Sequence, residues 1–306
     1  MAHTPVMVNE TLKRLLHAES RRILDCTLGA GGHARAILEA NSNVSLIGID
    51  RDSRALAGAR RLLEPYGSRV RIVEGSYVDT GRALADDTGA DGILVDLGVS
   101  SLQLDESSRG FSHGNDGPLD MRMGSDGPTA KSLIEDASVE ELARILRVYG
   151  EVRGAARIAK SIRRAADGGE MSTTFDLRRA VDAALTGRPS PALLSKVFQS
   201  IRIALNEELK NLEAFLLGVL DHLRPNGRLV IISYHSLEDR MVKEFLKRES
   251  TDCLCPPAVP RCVCQHRATL EVLTRRLLRP SATELRANPR SRSAGLRAAR
   301  ALGRQK

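Results

Sequence analysis

Two aspartates, each closing an apolar run, flank a glycine-rich turn near the start of this chain, and that arrangement limits its fold more than any other feature. Arg22-Ile-Leu-Asp-Cys-Thr27 runs into the turn Gly29-Ala-Gly31-Gly32, and His33 to Ala40 then reads as helix. Val44-Ser-Leu-Ile-Gly-Ile-Asp50 is a second strand and Ser53 to Leu63 a second helix. Arg69 to Glu74 and Gly92-Ile-Leu-Val-Asp96 complete a set of four strands. Strands alternating with helices predict a parallel sheet with right-handed crossovers. The alternation stops after Asp96. An irregular stretch rich in Gly, Ser and Asp fills 97–128, helical patterns follow from Ser138 to Leu223, and strand character returns at Gly227 to Ser233. Ser138 with Glu141 forms a capping box, Thr173 with Asp176 is a weaker start signal, and Ser236 is placed to cap the last helix with Asp239 at its third position. These signals predict one α/β domain, 1–104 and 201–306, interrupted by a helical domain at 105–200 suited to substrate recognition.

Glycines are needed between the first strand and helix because the backbone must turn sharply and approach a ligand with no Cβ in the way. Asp50 follows Gly29 by twenty-one residues, and a carboxylate there can accept hydrogen bonds from ribose hydroxyls. The ligand is expected outside the carboxyl ends of the strands, where Tyr77 and Asp96 would line the same crevice. Two ligand classes satisfy this pattern. Gly29, Gly31 and Ala34 match the Ala-ending dinucleotide fingerprint. Asp25, four residues before the first glycine, favours instead a zwitterionic, cationic ligand such as S-adenosylmethionine over a pyrophosphate, and no hydride-transfer residue set is apparent.

Charge adds a separate constraint. From Arg275 to Lys306 there are ten basic residues and one acid, whereas the rest of the chain carries 36 basic and 37 acidic residues. This basic segment reads either as a solvated tail or as a polyanion contact. Arg153, Arg157, Lys160 and Arg164 recur at steps of four, three and four, on one helix face, with Ala155, Ile158, Ile162 and Ala165 opposite. That stripe is either a solvated face or a phosphate-contacting one. Aromatic residues make up only 3% with no Trp, which excludes a wide base-stacking platform. Asn9, Glu10, Lys13 and Arg14 interrupt any leader-like apolar run, and the longest apolar stretch, Phe215 to Leu220, is too short to span a bilayer. A cytoplasmic location, no membrane and no obligate protein partner are the expectations.

Several unusual strings resemble one family from end to end. They are His3-Thr-Pro-Val6, Gly29 to His33, Asp96-Leu-Gly-Val-Ser-Ser101, Arg109-Gly-Phe-Ser112, Asp116-Gly-Pro-Leu-Asp-Met-Arg122, Phe198-Gln199, Ser233-Tyr-His-Ser-Leu-Glu-Asp-Arg240 and Asn288-Pro-Arg-Ser-Arg-Ser293. The chain is similar in these to the ribosomal RNA small subunit methyltransferase H (RsmH/MraW) family. The glycine turn is common to many methyltransferases; the Asp-Leu-Gly-Val-Ser-Ser and His-Ser-Leu-Glu-Asp-Arg strings are far more specific. The resemblance implies a Rossmann-like class I methyltransferase domain with an inserted all-helical domain. It implies an enzyme that methylates N4 of a cytidine in the decoding region of 16S rRNA, with S-adenosylmethionine as cofactor and the small ribosomal subunit as partner. The cofactor contacts it implies are Gly31, Gly32, His33, Asp50, Tyr77, Asp96 and Gln103. This chain has Tyr77 where Phe is frequent, and Ser190-Pro-Ala-Leu-Leu194 where the family usually has His-Pro-Ala-Thr-Arg.

Methylation of an amino group needs no catalytic metal, because the sulfonium methyl is already electrophilic. It does need an acceptor near the nitrogen, and Asp96 and His235 are the candidates. Asp96 stands equally as a cofactor ligand, and His235 equally as a loop-shaping residue. Cys253-Leu-Cys255 and Cys262-Val-Cys264 form two close pairs separated by six residues. A structural zinc and reduced, unliganded thiols are both compatible with them.

Overall fold

The computed structural model describes residues 5–84, 89–256 and 261–303. His3 and Thr4 of the N-terminal string, Pro257 and Pro260 of the cysteine loop, and the last two cations, Arg304 and Lys306, lie outside the described residues. The chain separates into two compact units, 1–98 with 211–306 and 99–210.

The first unit is built on seven strands: β1 (Arg22–Asp25), β2 (Ser45–Asp50), β3 (Val70–Glu74), β4 (Ala90–Asp96), β5 (Leu223–Ser233), β6 (Leu270–Val272) and β7 (Gly295–Ala301). They form one sheet in the order β3-β2-β1-β4-β5-β7-β6. Strands β1 to β5 run parallel, and β7 lies antiparallel to both β5 and β6. This order is that of a Rossmann-like class I methyltransferase. In β4, Ile93 and Val95 join the core on one face while Leu94 joins the core on the other; in β5, Leu229 and Ile231 alternate likewise with Val230 and Ile232. Both faces are therefore covered, as a parallel sheet requires, and the strands read as continuous apolar runs.

Helices α1 (Val8–Leu15), α2 (Gly32–Ala40) and α3 (Ser53–Leu63) supply Leu15, Ile37 and Leu56 to one face. Further along, α4 (Thr80–Leu84) supplies Leu84 to the opposite face. The order reverses between β1 and β4, so their carboxyl ends open the crevice in which such folds bind ligands.

The second unit is helical among the described residues: α5 (Ser101–Asp105), α6 (Ala130–Asp136), α7 (Val139–Gly150), α8 (Ala155–Asp167), α9 (Thr174–Ala183) and α10 (Pro191–Leu205). The division at 210/211 falls within α11 (Glu208–Gly218). Both capping boxes read from the sequence are present. Ser138 Oγ accepts from Glu141 N–H at 3.2 Å while Glu141 accepts from Ser138 N–H at 2.9 Å, and Thr173 and Asp176 exchange the same pair of bonds at 3.2 and 2.7 Å. Helix α8 buries Ile158, Ala159 and Ile162, and Arg153, Arg157, Lys160 and Arg164 are all exposed. Arg163, between the two faces, donates to the carbonyls of Ile134, Glu135 and Ala137 and so caps the C-terminal end of α6.

Two expectations need correction. The basic C-terminal segment is not a tail: 295–301 is an internal strand of the sheet, where Arg297 pairs with Asp239 and Arg300 with Glu271. Arg297, whose side chain is 11% exposed, requires that partner, whereas the Arg300–Glu271 pair lies at the surface, 40% and 50% exposed. Helix α12 (Ser236–Glu249) is capped by His235, whose Nδ1 accepts from Glu238 N–H at 3.4 Å, so Glu238 and not Asp239 takes the third position. The short α13 (Ala282–Ala287) places Glu284 to accept from Met7 N–H at 2.6 Å. No helix among the described residues is long and apolar enough to cross a membrane.

Candidate functional site

Three neighbouring strands of the sheet, β2, β1 and β4, each end in an aspartate: Asp50, Asp25 and Asp96. The backbone between β1 and α2 bends through Gly29 at φ +53° and Gly31 at φ +88°. The second value is one that a residue with a Cβ adopts only under strain, and a Cβ at Gly31 would also press on Leu63 at 3.3 Å. Gly32 opens α2 against Pro5, only 3.0 Å from where its Cβ would be.

Asp50 fastens this turn to the next one. Its Oδ2 accepts from Gly29 N–H at 2.7 Å and its Oδ1 from Asp52 N–H at 2.9 Å. Asp52 in turn caps α3 by accepting from Arg54 and Ala55 N–H. Burial raises the Asp50 pKa despite those two backbone donors. Each carboxylate oxygen offers two lone pairs, so acceptor capacity for ligand hydroxyls remains.

Asp96 is the partly open member of the set, with its side chain 22% exposed. Its own N–H donates to Thr27 Oγ1 at 2.6 Å, which ties the ends of β1 and β4 together. Its Oδ1 accepts from the Tyr234 hydroxyl at 2.9 Å. Burial and the adjacent Asp96 carboxylate hold the Tyr234 phenol far above the usual phenol range, so it stays a donor. His33 Nε2 lies 3.5 Å from Asp96 Oδ2, a charge contact rather than a hydrogen bond. Burial lowers the His33 pKa, but Asp96, Asp25 and Glu284 outweigh it and the net shift is upward.

Asp25 is 1% exposed; Oδ1 accepts from Thr27 N–H at 3.2 Å and Oδ2 has no hydrogen-bond partner. Burial pushes its carboxyl up to about 7, against the opposing pull of His33.

The remaining candidates are placed differently. Tyr77 follows β3 and sets its ring edge-on to Phe215, with centroids 5.6 Å apart, so part of the ring serves the core. His235 meets Glu238 at both ring nitrogens: Nδ1 accepts its N–H, and Nε2 lies 3.1 Å from Oε1 without a hydrogen bond. The same carboxylate accepts from Tyr234 N–H at 2.8 Å, so this group of contacts fixes the loop that carries Tyr234. Gln103 belongs to the second unit, where it is buried, accepts from Ser100 N–H at 3.0 Å and donates to the Met123 carbonyl at 3.4 Å.

Residues 1–302 match the model of the MraW methylase family. The chain belongs to that family. It is 46% identical over 307 residues to a protein of Syntrophotalea carbinolica named ribosomal RNA small subunit methyltransferase H, with 98% of each chain covered. A protein of the same name from Geobacter sulfurreducens is 46% identical over 310 residues, covering 98% of this chain and 99% of the relative. One from Solidesulfovibrio magneticus is 45% identical over 311 residues, covering 98% and 95%.

The methyl donor of an MraW-family methylase is S-adenosylmethionine, and the site has the chemistry for it. Three carboxylates at adjacent strand ends suit a ligand with a sulfonium and an ammonium, and would repel a pyrophosphate. The unpartnered Asp25 Oδ2 is a buried acceptor in want of a donor. Asp25 was legible as a strand-ending acid, whereas Thr27, Tyr234 and Glu238 were not picked out by sequence. Tyr234 matters through Asp96, 138 positions away, and Glu238 through contacts with Tyr234 and His235 at the start of its own helix.

A pH effect follows from Asp25. Its folded pKa of about 7 exceeds the ordinary carboxyl value, so the folded state holds this proton more tightly than the unfolded state does. The group favours folding at low pH, and that contribution is lost as pH rises from about 4 through 7. Asp25→Asn removes the buried charge. In thermal melts the variant is expected to gain over the parent at pH 8, by on the order of 4 kcal/mol, and to lose that advantage near pH 4. A difference independent of pH would contradict this account.

Proposed function

We propose that this methylase transfers the methyl of S-adenosylmethionine to the exocyclic N4 of a cytidine in the decoding region of 16S rRNA, with the small ribosomal subunit as its partner in the cytoplasm. Its family and the names of its relatives support an rRNA methyltransferase of the small subunit. The choice of an amino nitrogen rests on one observation: a partly open carboxylate, Asp96, held from one side by Tyr234 and approached from another by His33.

The cofactor supplies an electrophilic methyl on a sulfonium and needs no further activation. The N4 lone pair is delocalised into the pyrimidine ring, so the protein's task is to hold it in line with the methyl and to receive a proton. As the N–C bond forms and the S–C bond breaks, positive charge develops on N4. A carboxylate accepting an N4 hydrogen stabilises that charge and takes the proton. Asp96 has lone pairs free for this beyond the one that Tyr234 uses. Tyr234 and His33 act as positioning residues that fix its orientation. His235 is assigned a positioning part as well, because its Nδ1 caps the helix that carries Glu238. Gly31, Gly32, Asp50 and Tyr77 are the proposed cofactor contacts within the first unit.

The helical unit is proposed to recognise RNA. The exposed cations of α8 are in no ion pair among the described residues, which leaves them available to phosphates. The target base must be unstacked or already single-stranded for its amino group to reach a buried methyl donor.

The test is to incubate 30S subunits from an unmodified strain with labelled S-adenosylmethionine and map the labelled nucleotide. Label at N4 of one decoding-region cytidine is the expected result, and no label in RNA would sink the proposal. In the same system, the double variant Arg157→Glu/Lys160→Glu should weaken subunit binding and flatten the log–log salt dependence by about 1.5. An unchanged slope would assign the stripe to solvation alone.

A further inference from the structure

The cysteine loop, outside the crevice, connects α12 to β6 and closes on itself. Its base is tied at three points: Thr269 N–H donates to the Glu249 carbonyl at 2.7 Å, Ala268 N–H to Asp252 Oδ1 at 3.1 Å, and His266 Nε2 lies 3.0 Å from the Arg248 carbonyl. Beyond that base there is no helix or strand among the described residues, and no residue of the described part of 251–269 is buried. Leu254 is 44% exposed and Val263 74% exposed, so apolar packing does not hold the tip together.

Four thiols nevertheless converge there. The Sγ atoms of Cys253 and Cys262 are 3.4 Å apart, those of Cys262 and Cys264 3.6 Å, and those of Cys264 and Cys253 3.9 Å. All four ligand atoms, Cys255 included, lie within 4.8 Å of one another. A disulfide would need a sulfur–sulfur distance of about 2.05 Å, and all four are free cysteines. A tetrahedral tetrathiolate with metal–sulfur bonds of about 2.3 Å has edges of about 3.8 Å, close to the separations here.

The backbone around the thiols has the matching polarity. Leu254 N–H points to Cys264 Sγ at 3.3 Å, and Val263 N–H points to Cys255 Sγ at 3.3 Å. The middle residue of each Cys-x-Cys pair thus donates to a sulfur of the other pair. Amides directed at sulfur in this way orient ligating thiolates and spread their charge. A loop with no apolar core of its own needs a covalent or metal staple to hold one conformation.

We infer that Cys253, Cys255, Cys262 and Cys264 bind one structural zinc ion that ties the two halves of the α12–β6 connection. Binding replaces four S–H bonds by four zinc–sulfur bonds and releases four protons to solvent, leaving a complex of charge −2. All four coordination positions are filled by protein, so the ion has no open site for substrate.

The test uses the full chain, purified without a metal-binding tag from zinc-replete cells. Elemental analysis should find about one zinc per chain. Cys262→Ser/Cys264→Ser should lower that content about tenfold or more, and Cys26→Ala should leave it unchanged. Cobalt(II) added to the chelator-treated chain should give the visible bands and thiolate charge-transfer absorption of a tetrahedral thiolate site. Chelation should also speed proteolytic cleavage within 250–268 about tenfold or more while far-ultraviolet circular dichroism stays the same. Less than about 0.2 zinc per chain with four reactive exterior thiols would overturn the inference. So would stoichiometric iron in place of zinc, or zinc retained in the double serine variant.

Discussion

Asp96→Asn should lower the single-turnover rate of methyl transfer by about 10²–10³-fold and change cofactor affinity by less than about threefold. The substitution is chosen because it keeps the local structure. An amide oxygen can still accept from the Tyr234 hydroxyl, now at 2.9 Å from Oδ1, and the Asp96 N–H to Thr27 bond is a backbone contact that persists. Only the charge and the capacity to take a proton are lost, and a positioned acceptor of this kind contributes roughly 10²–10⁴ in rate. Single-turnover transfer to 30S subunits at saturating cofactor, together with calorimetric titration of the cofactor, separates the two roles. Equal losses in rate and affinity would make Asp96 a cofactor ligand. A rate within twofold of the parent, with affinity intact, would remove it from both. Tyr234→Phe is the companion variant. It leaves the carboxylate in place without its hydroxyl donor, and a loss of about tenfold is expected, in rate and not in affinity.

The second large effect is on binding. Asp50→Ala should weaken cofactor affinity by about 10²–10³-fold. The alanine strands two backbone donors, Gly29 N–H and Asp52 N–H, now bonded at 2.7 and 2.9 Å. Each orphaned donor costs about 1–3 kcal/mol where water cannot replace the carboxylate, and the proposed hydroxyl contacts of the ligand are lost too. The glycine turn keeps its backbone tie to β2, Leu28 N–H to the Ile49 carbonyl at 2.9 Å, but loses the side-chain tie at Gly29. Asp50→Asn keeps one acceptor oxygen and should show an intermediate loss. Calorimetric titration decides the matter, and affinity within threefold of the parent for the alanine variant would exclude Asp50 from the cofactor site.

The ends of β1, β2 and β4 were legible because each strand is a short apolar run stopped by a carboxylate. In a doubly wound fold, strand ends and ligand crevice coincide. The break after Asp96 was legible in the same way, as a change from alternation to helical periodicity, and the capping boxes at Ser138 and Thr173 marked helix starts from four residues each. Charge was a poorer guide. Residues 295–301 look like part of a cationic tail because Arg297 and Arg300 stand among glycine and alanine, which have low strand propensity. The strand exists because β5 and β6 pair with it on both sides and Asp239 neutralises the mostly buried Arg297. Small side chains suit that position, since Ala298 and Ala299 are buried on opposite faces.

By itself, then, the sequence determined the periodic elements and the aspartates and glycines at their ends, because these depend on local patterns of a few residues. Only the tertiary structure decided what those aspartates are. It set Asp25 apart as the buried one with an unpartnered oxygen, and Asp50 as the tie between two turns. It made Asp96 the open carboxylate held by Tyr234, a residue 138 positions away along the chain. Burial, hydrogen-bond partners and charge contacts between distant segments separate three chemically identical side chains, and those quantities arise only when the sheet is assembled.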